Sequence, residues 1–141
     1  MFILDTDAIT DHQNAHPILS AKVSNTPPAQ LFTTPITVEE QLKGRLAYLN
    51  RHRHHPRESA QGHAALLKSV FYFNLWSILL FNEEAYAIFR QLQQQRIRIG
   101  SQDLRIAAIA LFHGFTVVTR NVRDFAHVPD LRVEDWAATS Q

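Results

Sequence analysis

Short apolar runs alternate along this chain with longer segments of helical periodicity. Phe2-Ile3-Leu4 is a continuous apolar run closed by Asp5-Thr6-Asp7, which predicts a buried strand entering a turn. Residues Ala8 to Val23 read as helical in part, with Pro17 at a helix start or break, and Asn25-Thr26-Pro27-Pro28 reads as a loop. Leu31-Phe32-Thr33-Thr34 predicts a second strand, ended by Pro35. Thr37-Val38-Glu39-Glu40 has capping-box spacing, Thr first and Glu three residues later, and predicts a helix start; Leu42, Leu46 and Leu49 continue its apolar face. Arg51 to Arg57 is polar and contains Pro56, which predicts a turn before a further helix over about Glu58 to Phe73.

Trp76 to Leu80 predicts a third strand, and Glu83 to Gln95 a helix with Ala85, Ile88, Phe89 and Leu92 at helical spacing. Gly100-Ser101 opens the next helix. Leu104, Ala107, Ala108 and Leu111 form one apolar stripe, and Ile106, Ile109 and Ala110 make the other side apolar too, so more than one face should be buried. Gly114 is a natural stop for it. Phe115 to Thr119 is the strongest strand in the sequence, and Leu131 to Val133 predicts a last edge strand. Strands alternating with helices of ten or more residues imply helices on both faces of a sheet. The expected fold is therefore α/β: a three-layer α/β/α sandwich with a mainly parallel sheet. The 141 residues suit one domain, read as 1–141, with no internal repeat or linker.

Composition narrows the chemistry. Cysteine is absent, which excludes a disulfide framework, a thiolate metal site and a thiol nucleophile. The N-terminus lacks a basic region and reaches an acid at Asp5, so no signal peptide is expected. The longest apolar stretch, Val70 to Phe81, is interrupted by Tyr72, Asn74 and Ser77 and is too short to span a bilayer. A cytoplasmic protein without a membrane partner is expected. The net charge of +1 does not choose a substrate, because a local patch matters more than the sum. Neither a Ser/His/Asp nucleophile pattern nor a phosphate-binding Gly-rich loop is present.

Carboxylates are what remains. Of thirteen acids, four fall at one kind of position. Asp5 follows the first strand, Glu40 and Asp103 lie in first helical turns, and Asp124 follows the strand ending at Thr119. In an open parallel sheet these positions share the edge where ligands bind. Clustered carboxylates repel, and a hard divalent cation relieves this while accepting their oxygens. Such an ion activates water for in-line attack on a phosphodiester. Each acid also has a local explanation: Glu40 in its capping box, Asp103 at the positive end of a helix, Asp5 in a turn, Asp124 at a helix start after Asn121. Asp7, two residues from Asp5, is the one other acid that joins the candidates.

These segments resemble a known family. Leu4-Asp5-Thr6-Asp7 resembles the opening motif of PIN domains, and Glu40 to Gly44 the E-x-x-x-G segment of VapC-like toxins. Ile99 to Ala108 is similar to their I-G-x-x-D-x-x-I-A-A block, and Val118 to Phe125 to their V-T-x-N-x-x-D/H-F block. Val133-Glu134-Asp135-Trp136 matches a common ending. The resemblance implies a Mg²⁺- or Mn²⁺-dependent endoribonuclease, the toxin of a type II toxin–antitoxin pair, with RNA as substrate, a cognate antitoxin and a homodimeric state. It implies Asp5 and Asp103 as principal metal ligands, Glu40 as a further ligand or water-orienting group, and Asp124 in a less constant role. Thr6, Thr119 and Asn121 would hold these carboxylates in place. A PIN-like module that binds RNA or antitoxin without turnover, or a nuclease acting on DNA, are the competing readings.

Arg105, Arg120 and Arg123 are expected near the acidic edge, where they could bind phosphates around the scissile bond or pair with acids. Arg51-His52-Arg53-His54-His55-Pro56-Arg57 reads as a solvated turn, with contact to RNA as the alternative; without Cys or acid beside it, zinc is a poor fit. The aromatic stretch Phe71, Tyr72, Phe73, Trp76 and Phe81 reads mainly as core packing, with an interface as the alternative.

Overall fold

Apolar runs of only two or three residues suffice for strands here because helices cover the sheet on both faces. In the computed structural model, which describes residues 1–139, the elements in chain order are β1 (Phe2–Leu4), α1 (Thr6–Gln13), α2 (Pro17–Ser24), β2 (Leu31–Thr33), α3 (Pro35–Arg51), α4 (Pro56–Asn74), β3 (Ser77–Ile78), α5 (Glu83–Gln94), α6 (Ser101–His113), β4 (Thr116–Val118), α7 (Val122–Phe125) and β5 (Val133–Glu134). One 3₁₀ turn, Pro28–Gln30, leads into β2. The strands make one sheet in the order β3-β2-β1-β4-β5, and every pairing is parallel.

Alternation along the strands divides the core in two. Ile3 of β1 and Val117 of β4 face α5, α6 and α7, packing with Phe89, Ile106, Ile109 and Phe125. Leu4 and Val118, one residue on, face the other way, onto Ala8, Ile9, Leu19, Phe73 and Trp136. Burial on both faces is what the parallel pairing requires. In α6, Leu104 and Ile106 through Ala110 are all buried, as expected of a helix apolar on both sides, and Gly114 ends it in the left-handed region at φ 70°.

The structure corrects several local expectations. The α3 helix begins at Pro35, not Thr37: Thr34 is its N-cap and accepts from the Thr37 amide at 3.4 Å. Proline in the first helical position opens a helix as readily as it ends a strand. Thr37 and Glu40 therefore form no capping box, and Glu40 lies in the second turn. The expected strand over Trp76 to Leu80 narrows to Ser77–Ile78, both exposed at the sheet edge, and the last strand is Val133–Glu134. Of the aromatic stretch, Phe73 is core, Tyr72, Trp76 and Phe81 are half-buried, and Phe71 is 63% exposed.

Candidate active site

From β1 the chain runs outward to β2 and β3, then returns to β4 on the opposite side of β1. The C-terminal ends of β1 and β4 thus frame the switch point, where an open α/β sheet has its crevice. Asp5 follows β1 and Thr119 follows β4, tied together because the Asp5 amide donates to the Val118 carbonyl at 3.1 Å.

Asp5 is only 2% exposed. Its carboxylate accepts from the Ala8 amide at 2.9 Å and so caps α1. The Thr119 hydroxyl, whose oxygen accepts from the Asn121 amide at 2.9 Å, stands near it. Burial nevertheless pushes the Asp5 carboxyl up to about 7; the Thr119 side chain and the Ala8 amide pull it down, and the charges of Asp7 and Asp103 add to the rise.

Glu40, freed from capping, is raised by burial and then by Asp103; the Thr6 side chain lowers it, and Asp7 and Glu39 add smaller rises. Thr6 and Thr37 hydroxyls lie 3.1 Å apart beside it. Asp103, in the first turn of α6, is raised by burial and then by Asp7 and Asp124. A carboxylate that merely complemented the helix dipole would be held low; at Asp103 desolvation and repulsion win instead. Asp124, in α7, accepts from the Asn121 side-chain amide at 2.9 Å. Asp5, Glu40, Asp103 and Asp124 thus meet at one edge, with Asp103 feeling or perturbing each of the others. Asp7 perturbs Asp5, Glu40 and Asp103 alike. Its spacing two residues after Asp5 was the only sequence signal for it.

The arginines divide. Arg120 lies at the acidic edge: its Nε is 2.8 Å from Asp11 Oδ2, close as an ion pair though not aligned as a hydrogen bond, and it stands 4.0 Å from Asp7. Asp11 is a partner that sequence reasoning passed over as an ordinary surface acid. Arg105 is engaged elsewhere, donating to Ser101 and Gln102 and lying 4.4 Å over the Phe89 ring. Residues two apart on a helix point about 200° apart, so Arg105 does not share the direction of Asp103. Arg123 is exposed and has no hydrogen-bond or ion-pair partner among the described residues. The Arg51–Arg57 histidines form no metal-holding group among the described residues; His52 packs instead on Tyr48, ring centroids 4.5 Å apart.

All donors at the acidic edge are oxygens, as hard cations prefer. Among the described residues no three acids or histidines close around one point as a finished cage. Mg²⁺ does not require one, because it keeps several waters and takes one or two carboxylates directly. Burial raises Asp5, Glu40 and Asp103 alike, and the charge of Asp103 adds to the rise at both Asp5 and Glu40, a load of negative charge that a dication would offset. The donor set fits such an ion.

Residues 2–131 match the family model described as PIN domain. Ribonuclease VapC1 of Rickettsia felis is 35% identical over 108 residues, 74% of this chain and 75% of that protein. Ribonuclease VapC of Rickettsia bellii is 41% identical over 64 residues, 43% of this chain and 48% of that one. The structure of VapBC-1 from nontypeable Haemophilus influenzae superposes with a TM-score of 0.75 at 27% identity, over 97% of this chain and 98% of that one. FitAcB from Neisseria gonorrhoeae gives 0.74 at 26% identity, over 96% and 97%.

Proposed function

We propose that this chain, which belongs to the PIN-domain family, is a metal-dependent endoribonuclease and the toxin of a toxin–antitoxin pair, acting as a single nuclease domain. The observation that carries the reading is the convergence of Asp5, Glu40 and Asp103, from three distant segments, in one partly buried cluster of elevated carboxyls. Relatives named ribonucleases support RNA as the substrate class.

Asp5 and Asp103 would hold Mg²⁺ or Mn²⁺, with Glu40 as a further ligand or as the group that orients water. When bound, the ion supplies positive charge to the phosphate and lowers the pKa of water. Glu40, elevated and half-buried, is suited to take a proton from the attacking water. Asn121 fixes Asp124 through its side-chain amide, and Thr6 and Thr119, which favour the ionised forms of Glu40 and Asp5, would orient those carboxylates. Water oxygen bonds to phosphorus as the bond to O3′ breaks, and O3′ takes up a proton. The products carry a 5′-phosphate and a 3′-hydroxyl. Arg120 and Arg123 remain the candidates for phosphate contact at this edge.

The outer face of α4 and the loop after it leave Phe71 63%, Leu75 85% and Leu80 72% exposed, an apolar surface suited to a protein partner. We assign it to a cognate antitoxin or a second copy of the chain, in a cytoplasmic setting; among the described residues no helix is long and apolar enough to cross a membrane. The test is to incubate purified protein with RNA and Mg²⁺ or Mn²⁺ and sequence the new ends. Cleavage with 5′-phosphate ends, lost in Asp103→Asn and on chelation, is expected. Cleavage that persists in Asp103→Asn overturns the metal centre, and metal-supported cleavage of DNA in preference to RNA overturns the substrate.

A further inference from the structure

Two clefts follow α3, the first bounded by α1, α3 and α4 and the second by α3 and α4. One, of about 640 Å³, opens beside Thr6 and Glu40 and is walled by Arg45, Lys68 and Tyr72. The other, of about 500 Å³, is bounded by Tyr48 and Arg51. They share Gly44 and Arg45. Glu40, Gly44, Tyr48 and Arg51 follow one another at helical spacing along one face of α3, so the clefts are consecutive stretches of a single groove. At Gly44 a Cβ would meet nothing within 4 Å, which leaves the passage open at the junction.

The groove changes sign along its length. Glu40 is the sole carboxylate among the residues lining either cleft. Beyond it come Arg45, Lys68 and Arg51, and past the end of α3 lie Arg53, which donates to Asn50 Oδ1, and Arg57 in the first turn of α4. Arg45 is pinned in place: its Nε donates at 3.0 Å to Ser69 Oγ, and Ser69 is only 2% exposed. Its two terminal nitrogens make no other hydrogen bond among the described residues and are available to an anion. Aromatic rings accompany the cations: Tyr72, whose hydroxyl is 2.7 Å from His12 Nδ1, and Tyr48. Both rings are already packed, Tyr48 on His52 and Tyr72 among His12, Phe73 and Trp76, so the groove offers cations for a phosphate backbone more than platforms for bases.

We propose that this groove carries single-stranded RNA away from the acidic cluster, with Arg45, Lys68 and Arg51 reading its phosphates in succession. The assignment rests on the ribonuclease reading above and gives the Arg51–Arg57 turn a role as the far bank of the track. Glu40 and Arg51 are about 16 Å apart along the α3 axis at 1.5 Å per residue, so several nucleotides are engaged. Phosphate contacts position without reading sequence, and the track is accordingly indifferent to base identity.

The experiment measures binding with the chemistry silenced. Labelled RNAs of about 2 and about 12 nucleotides, all-uridine and all-adenosine, are titrated in chelator across a range of salt. Wild type is compared with Arg51→Gln/Lys68→Gln and with the charge-keeping Arg51→Lys/Lys68→Arg; both sites are exposed, and a thermal melt checks the fold of each. The longer RNA should lose about tenfold or more in affinity in the Gln variant, for both bases, with the log–log salt slope reduced by about 0.7 per cation removed. The shorter RNA should shift much less, and the charge-keeping variant should restore binding. Unchanged affinity for the longer RNA in a folded Gln variant overturns the track and leaves the groove to a polypeptide. Failure of the nuclease reading is seen separately: wild type that binds through these cations but never cuts with Mg²⁺ or Mn²⁺ sinks that reading alone.

Discussion

Replacing Asp5 with Asn should stabilise the fold, by an amount that grows with pH. Burial lifts this carboxyl from 3.8 to about 7. The unfolded chain ionises near the ordinary value, whereas the folded chain keeps its proton until about pH 7. Between those points the folded state binds the extra proton, so wild-type stability falls as pH rises through that window and levels off above it. Three pH units at 1.36 kcal/mol each give a full cost of about 4 kcal/mol. Asn carries no titrating charge, keeps an acceptor for the Ala8 amide and can donate to Thr119 Oγ1. Between pH 5 and pH 8 the wild type loses about 2–3 kcal/mol that the variant does not. Urea unfolding in chelator, followed through Trp76 and Trp136 at both pH values, measures the two gaps. A difference that stays constant with pH, or a variant that is the less stable at pH 8, would show that Asp5 ionises near its ordinary value. The case for a desolvated ligand would then be lost. Added Mg²⁺ should stabilise the wild type at pH 8 and leave Asp5→Asn unmoved.

Because the ion must displace protons from elevated carboxyls, Mn²⁺ affinity measured calorimetrically should drop about tenfold per unit as pH falls below 7; a flat profile would exclude Asp5 as a ligand. Thr34→Ala should cost about 1 kcal/mol by removing the cap of α3, and Thr34→Ser should recover most of it in the same denaturant titration. Gly44→Ala should add about 0.5–1 kcal/mol, since it relieves a glycine inside a helix without meeting any atom; a lower melting temperature would mean that the space there is not free.

The fold was legible because its signals were redundant. Ile3 and Leu4, or Val117 and Val118, needed no pattern beyond a short apolar run, and the double-sided apolarity of α6 announced a central helix. The acids were legible through topology: strand ends and helix starts share an edge, whatever their separation in sequence. Boundaries were less so. Thr34-Pro35 reads equally as the end of a strand and the start of a helix, and only the hydrogen bond from Thr37 decides. Proximity in sequence placed Arg105 beside Asp103, but on a helix it says little about direction, and Arg105 bonds Ser101 and Gln102 instead. Asp11 and the groove along α3 depend on how packed helices juxtapose side chains, and no local pattern encodes that.

The pairing of β1 with β4 also governs when the acidic cluster can assemble. Asp5 is made more than a hundred residues before β4, whose Val118 carbonyl its amide bonds, and before Thr119. At about 5–20 residues per second the nascent chain spends several seconds or more with an incomplete cluster. On the ribonuclease reading proposed above, RNA around the growing polypeptide stays intact until β4 docks.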